Sequence, residues 1–220
     1  MIESINDLTN LLIKYCSKIG VDFVGFSDTS HFDRFSKDHR PDSYLSSSKT
    51  VIIIGFHLFD INLDAWNRDE EKGKSSHFAD LILLNQCHRI KNFLAKKGFN
   101  SKIIPYEPGL YLKDAAALAG IGPIGKNNLL ITETYGSQVR LRSLVTEAEL
   151  SFGTPIHDSK YCGNCNKCVD SCPAGALKGG KYNKELCRKY CLENLKYLSE
   201  NTVIWCNKCI ESCPVGKKNK

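Results

Sequence analysis

Residues 161–173 read Tyr-Cys-Gly-Asn-Cys-Asn-Lys-Cys-Val-Asp-Ser-Cys-Pro, which sets Cys162, Cys165, Cys168 and Cys172 at the spacing C-x2-C-x2-C-x3-C-P. A shorter echo follows at Cys206-x2-Cys209-x3-Cys213-Pro214. Thiolates are soft ligands and suit iron–sulfur clusters or zinc. Zinc also accepts four cysteines, but the two C-x3-C-P endings favour clusters.

In two-cluster ferredoxins, where this spacing is familiar, the last cysteine of a run serves the other cluster. Cys162, Cys165 and Cys168 are then expected to share a cluster with Cys213, and Cys172 to cross to a second with Cys206 and Cys209. The echo lacks its first member, whose position is Val203. Cys187 and Cys191 are both available as the replacement; Cys187 is preferred and Cys191 is the spare. Clusters of this kind move single electrons at low potential, so the chain reads as a redox protein.

The remaining composition fits that reading. Nine of eleven cysteines lie after residue 160, and the chain opens MIESINDLTN with no basic-then-apolar leader. Clustered cysteines without an export signal imply metal binding in a reducing compartment, and a cytoplasmic location is expected. No apolar run reaches the roughly 20 residues of a membrane span. Cys16 and Cys87 sit in apolar helical patterns and are expected to be buried free thiols. Net charge is +6, and all of it falls after residue 154, where twelve Lys and Arg face six Asp and Glu. Two oxidised four-iron clusters, each carrying about −2, would offset most of it. The terminal KKNK is too short to be a binding arm.

Upstream, Ser4–Ile19 has helical apolar spacing with Ser4 and Asp7 as a capping pair. Val21–Phe26 and the continuous apolar run Val51–Phe56 are predicted strands, the latter covered on both faces. Residues 30–49 read as irregular and 60–76 as a charged connection. His77–Lys97 is a predicted helix with Phe78, Leu81, Ile82, Ile90, Phe93 and Leu94 on its apolar face. Ser101–Pro105 is a short strand and Leu110–Ala119 an alanine-rich helix. Asn128–Thr132 and Gln138–Val145 are two further strands around a turn at Tyr135-Gly136. Alternating helices and strands imply an α/β layer architecture for residues 1–154, with the cysteine domain over 155–220.

Gly120-Ile121-Gly122-Pro123-Ile124-Gly125 spells G-x-G-x-x-G, but it follows a helix and precedes a strand, the wrong context for a dinucleotide fingerprint. It is either a helix exit or a backbone that approaches a ligand closely. Lys126 and Asn127 follow it, the lysine solvated or set to meet a phosphate or carboxamide. Tyr106 and Glu107 stand between a strand and a helix, where a proton donor would be well placed. Packing for Tyr106 and helix capping for Glu107 are the blander roles. Arg140 and Arg142 share one face of a strand, either solvated or holding a phosphate. None of the six histidines lies in an Asp-x-His-x-x-Gly pattern.

Ala119-Gly120-Ile121-Gly122-Pro123-Ile124-Gly125-Lys126-Asn127, then Leu129-Leu130-Ile131, Tyr135-Gly136-Ser137 and a strand ending Leu144-Val145-Thr146, resembles the core of epoxyqueuosine reductases. Arg40-Pro41 through Val51–Ile54 fits the same family, and the spaced cysteines complete the likeness, which spans roughly residues 20–216. Reductive dehalogenases share the fold and the cluster pair, and Tyr135-Gly136, Arg140 and Arg142 look closer to that branch.

The resemblance implies an α/β (α+β) cobalamin-binding domain of nitroreductase-like fold and a C-terminal ferredoxin-like domain with two [4Fe-4S] clusters. Electrons would pass from the outer cluster to the inner one and on to cobalt, in a corrin held without a histidine below. It implies Gly122, Gly125, Lys126, Asn127 and Arg140 as cofactor-binding residues, and Cys187 as the isolated cluster cysteine. The family's aspartate acid is replaced by Tyr106, with Glu107 beside it, and its glycine-stretch tryptophan by Pro123. No counterpart of the helical-repeat tail that often binds tRNA is expected in these 220 residues. The expected activity is a cobalamin- and iron–sulfur-dependent reductase fed by a ferredoxin or flavodoxin, with a corrinoid protein or tRNA as further partners. The alternative is an electron-transfer protein that reduces a partner's corrinoid or flavin.

Overall fold

The structure is a computed structural model that describes residues 4–69 and 74–216. In chain order its elements are α1 (Ile5–Lys18), β1 (Phe23–Asp28), β2 (Thr50–His57), β3 (Trp66–Asp69), β4 (Lys74–His77), α2 (Phe78–Lys96), β5 (Ser101–Ile103), α3 (Leu112–Leu118), β6 (Val139–Thr146), α4 (Lys167–Asp170), α5 (Lys184–Glu193), β7 (Lys196–Tyr197), β8 (Thr202–Ile204) and α6 (Lys208–Glu211). They divide into two compact units interleaved along the sequence. The first is Met1–Phe56, Ile82–Ile121 and Leu141–His157; the second is His57–Leu81, Gly122–Arg140 and Asp158–Lys220.

The first unit is built on a sheet of order β1-β2-β6-β5. The β1–β2 and β5–β6 pairs are antiparallel, so the α/β layering takes the α+β form. Val51, Ile52, Ile53 and Ile54 are fully buried, as expected of a central strand with both faces covered. α1 starts as its capping pair predicts: the Asp7 N–H donates to Ser4 Oγ at 3.2 Å. It lays Leu8, Leu12 and Cys16 into a core shared with Leu83, Cys87, Ile90 and Leu94 of α2. Cys16 and Cys87 are buried free thiols, and burial pushes the Cys16 thiol up to about 12.

The face of α2 differs from the expectation. Its buried stripe is Ala79, Leu83, Gln86, Cys87, Ile90 and Leu94, whereas Phe78, Leu81 and Ile82 are exposed. Gln86 belongs to the stripe, and its Nε2 donates to the Gly20 carbonyl at 2.6 Å, which offsets part of the cost of burying an amide whose Oε1 has no partner among the described residues.

The second unit holds a sheet of order β4-β3-β8-β7. The expected charged connection over 60–76 therefore contains two strands. β3 and β4 pair antiparallel, Trp66 opposite His77, and β3 also pairs with β8, Trp66 opposite Val203. Residues 70–73 of that stretch lie outside the described residues. The segment Asn128–Thr132 is not a strand but makes isolated bridges, Ile124 to Leu130 and Thr132 to Gly136. Asn128 has a positive φ of 57°, which breaks an extended run and makes a tight turn of the segment.

Candidate metal centres and cofactor residues

Cys162, Cys165, Cys168 and Cys213 line one pocket of the second unit, together with Lys126, Asn127 and Ile131. Cys168 and Cys213 are the buried members. Burial raises the Cys168 thiol above its ordinary range, and the neighbouring thiols of Cys162, Cys213 and Cys165 push the same way. Crowding thiolates in an apolar wall is costly without a cation, and a metal cluster removes that cost. Cys213 thus stands with the first run although it closes the second.

The other cysteines gather separately. Cys209 is pushed up to about 12, first by burial, then by Cys206, Cys187 and Cys172, and last by Cys168 of the first set. Cys187 and Cys191 lie four residues apart on α5, whose first turn is fixed by Asn183: its Oδ1 accepts from the Leu186 N–H at 3.0 Å. Cys191 is buried at 2% exposure and raised to about 11, mainly by burial, against a lowering backbone hydrogen bond at Cys206 and with Cys187 adding to the rise. Burial, and after it Cys187, push the Tyr182 phenol above its ordinary range. Val203, at the vacant position of the echo, is a fully buried residue of β8, so a strand occupies the place of a ligand.

The two runs are joined at equivalent positions. Ser171 Oγ donates to Ser212 Oγ at 2.8 Å, each serine preceding the last cysteine of its run, and α4 packs against α6. All eleven cysteines are free. Among the described residues, no three His, Cys, Asp or Glu side chains are placed to hold a single metal ion. Four of the cysteines, Cys162, Cys165, Cys168 and Cys213, line a common pocket, the number of thiolates that one cluster takes.

The glycine stretch serves this unit through its backbone. A Cβ on Gly122 would stand 2.2 Å from the Ile131 carbonyl oxygen, and one on Gly125 2.3 Å from the Ile131 side chain. Asn127 is buried, accepting from the Leu129 N–H at 3.2 Å and donating to Ser137 Oγ at 3.2 Å. Lys126 turns to the cysteine loop: its Nζ donates to Gly163 O at 2.7 Å, Asn166 Oδ1 at 2.9 Å and Cys165 O at 3.0 Å.

Arg140 stands elsewhere in the second unit, paired with Asp64 at 3.1 Å. The two line a cavity of about 330 Å³ with Trp66, His77 and Trp205. The indole rings lie 6.1 Å apart and tilted. Burial raises Asp64 while Arg140 opposes the shift; burial and then Arg140 lower His77 to about 4. Sequence reasoning missed Asp64, Trp66, His77 and Trp205. Two belong to the segment read as a connection, and only strand pairing brings β8, which leads into Trp205, to β3.

Tyr106 and Glu107 belong to the first unit and are both exposed. The Tyr106 hydroxyl donates to the Leu141 carbonyl at 3.2 Å, and the buried Arg142 guanidinium lies 4.5 Å from its ring centroid. Arg142 is therefore a packing partner of Tyr106.

Comparison with known proteins agrees with the cysteine pattern. Residues 155–178 match the 4Fe-4S binding domain. The epoxyqueuosine reductase of Lactococcus garvieae (strain Lg2) is 38% identical over 180 residues, covering 74% of this chain and 49% of the relative. A solved epoxyqueuosine reductase with an epoxyqueuosine-modified tRNA-Tyr stem loop matches with a TM-score of 0.71 and 25% identity, over 96% of this chain and 66% of that one. A reductive dehalogenase whose structure suggests a mechanism for B12-dependent dehalogenation matches with a TM-score of 0.73 at 15% identity, over 97% of this chain and 32% of that one, which shows a shared fold. The chain spans about half the length of the curated relatives it matches. Among the described residues no helix is long and apolar enough to cross a membrane.

Proposed function

We propose that this chain, similar over most of its length to epoxyqueuosine reductases, is an oxidoreductase that carries two [4Fe-4S] clusters and uses a cobalamin. The observation that carries the reading is the meeting of Cys162, Cys165, Cys168 and Cys213 around one pocket. Those four thiolates hold the first cluster. Cys172, Cys187, Cys206 and Cys209 hold the second, a set supported by Cys206, Cys187 and Cys172 acting on Cys209 more strongly than Cys168 does. When bound, the clusters deliver single electrons at low potential and the corrin supplies a reducing cobalt centre.

The protein's own residues have distinct tasks. On this reading residues 1–154 supply the cofactor and substrate part, and 155–220 the clusters. Gly122, Gly125, Lys126 and Asn127 shape the backbone that faces the cofactor. Arg140 and the two indoles offer a cation and flat apolar walls, which fit part of a planar ligand bearing amide or anionic groups. The cavity beside Arg140 is of ligand-binding size. Tyr106 holds a transferable proton on Oη in an exposed position, with Arg142 fixing its ring, and Glu107 is the neighbouring carboxyl. The partners that go with this reading are a low-potential ferredoxin or flavodoxin and a tRNA substrate, in the cytoplasm.

Anaerobic purification and reconstitution test it. We expect a broad iron–sulfur absorption, iron in about eightfold excess over protein, and a corrin spectrum that co-elutes after incubation with cobalamin. Iron without cobalt would overturn the cobalamin part, and absence of iron would overturn the whole.

A further inference from the structure

The turn that carries Lys126 is unusually well fixed. The Gly125 N–H donates to Leu129 O at 2.9 Å, the Asn128 N–H returns to Gly125 O at 2.9 Å, and Ile131 N–H reaches Pro123 O at 2.8 Å. Buried Asn127 locks the same turn from inside. The root of Lys126 is thus held while its side chain extends over the loop that bears the first cysteines.

An ammonium group has three hydrogens. Each hydrogen of Lys126 has an acceptor, and all three acceptors, Gly163 O, Cys165 O and Asn166 Oδ1, lie within the run itself. The backbone N–H of Lys126 adds a fourth bond, donated to Cys162 Sγ at 3.5 Å. One residue therefore clips the loop between two ligand cysteines and donates to the sulfur of one of them.

We infer that Lys126 is the positioning residue of the cluster held by Cys162, Cys165, Cys168 and Cys213, and that its charge holds that cluster's reduction potential up. The inference rests on the iron–sulfur reading above. Adding an electron makes the cluster more negative, and a fixed cation stabilises the added charge. N–H donation to a ligand sulfur acts in the same direction, because it spreads the charge of the thiolate. The ammonium is spent on protein acceptors, so it stays at a fixed distance from the cluster. Its exposure to solvent moderates the effect through screening. No such cation is bound to the Cys206–Cys213 run by the hydrogen bonds described, where Lys208 Nζ instead meets Glu211 at 2.9 Å.

The test is an EPR-monitored redox titration of the reconstituted protein. In Lys126→Met one of the two midpoint potentials should fall, with a reduced-to-oxidised ratio at fixed potential roughly three- to tenfold lower than in the wild type. The other potential should not move, and Lys126→Arg, which keeps the charge, should restore most of the shift. Asn166→Ala removes one acceptor without removing the charge; it serves if Lys126→Met fails to fold, and should move the same potential in the same direction by less. An unchanged pair of potentials in loaded Lys126→Met, an equal fall in Lys126→Arg, or an unchanged potential in Asn166→Ala would each overturn the inference. A wild type that binds no iron would overturn the iron–sulfur reading as well, whereas a loaded wild type with an indifferent Lys126 leaves that reading standing.

Discussion

Asp64 and Arg140 meet at 3.1 Å with their side chains only 15% and 25% exposed. Removing the carboxylate leaves a guanidinium beside two indoles with less compensation. Asp64→Ala should therefore destabilise the protein by about 1–3 kcal/mol, below the cost of breaking a fully buried pair. Chemical denaturation checks it, and a midpoint equal to that of the wild type would show that the pair contributes nothing.

His77, in the same cavity, should make stability depend on pH. Its folded pKa is lowered from 6.5 to about 4, chiefly by burial. The unfolded chain then binds a proton that the folded chain refuses between those values, so stability is full above about 6.5 and falls as pH drops toward 4. Melting curves from pH 8 to pH 4 should lose this slope in His77→Gln. Parallel curves for the two proteins would refute the assignment.

Two cysteines compete for the last ligand place of the second cluster. Cys187 acts on both Cys209 and Cys191, and Cys206 acts on Cys191 as well, so both candidates stand beside the second set, and Cys187 is the proposed ligand. Cys187→Ser should lower the iron count from about eight to about four per chain, while Cys191→Ser keeps about eight. The reverse pattern would exchange their roles.

Gly122 is required by close backbone approach. A Cβ there would press on the Ile131 carbonyl, which cannot swing aside as a side chain end can. Gly122→Ala should cost about 1–3 kcal/mol, in the range of overpacked interiors. A thermal midpoint within error of the wild type would show that the turn relaxes cheaply.

Tyr106→Phe separates proton donation from packing. Loss of the bond to Leu141 O should cost about 1 kcal/mol of stability or less. If Tyr106 is the acid, turnover of epoxyqueuosine or an organohalide should fall by about 10²–10⁴ while the clusters stay loaded. Undiminished turnover would move the role to Glu107, with Glu107→Gln as the variant that decides.

The parts visible in the sequence are those whose chemistry is local. The Ser4 cap needs only a hydroxyl three residues before its N–H, and the four apolar residues from Val51 to Ile54 declare a strand covered on both sides. The spacing of Cys162, Cys165 and Cys168 is equally local, three ligands within two turns of chain, and only the fourth, Cys213, comes from far along the sequence. What escaped notice depends on partners far away. β3 and β4 carry polar residues with no alternation to mark them, and β3 is held in part by β8, more than a hundred residues later. The buried stripe of α2 passes through Gln86, whose Nε2 finds its acceptor in the distant Gly20 carbonyl. The cavity of Arg140 draws on three separate stretches, so no single window of sequence describes it.

Cys162 and Cys213 line the same pocket but stand about fifty positions apart in the chain. A cluster bound between them would act as a cross-link, closing a loop that contains α5 and the β7–β8 pair. By loop-closure entropy such a link restricts the unfolded chain by about 4 kcal/mol. Iron would then be a folding partner of the second unit as much as its electron carrier, and exposure to oxygen would threaten the architecture together with the redox chemistry.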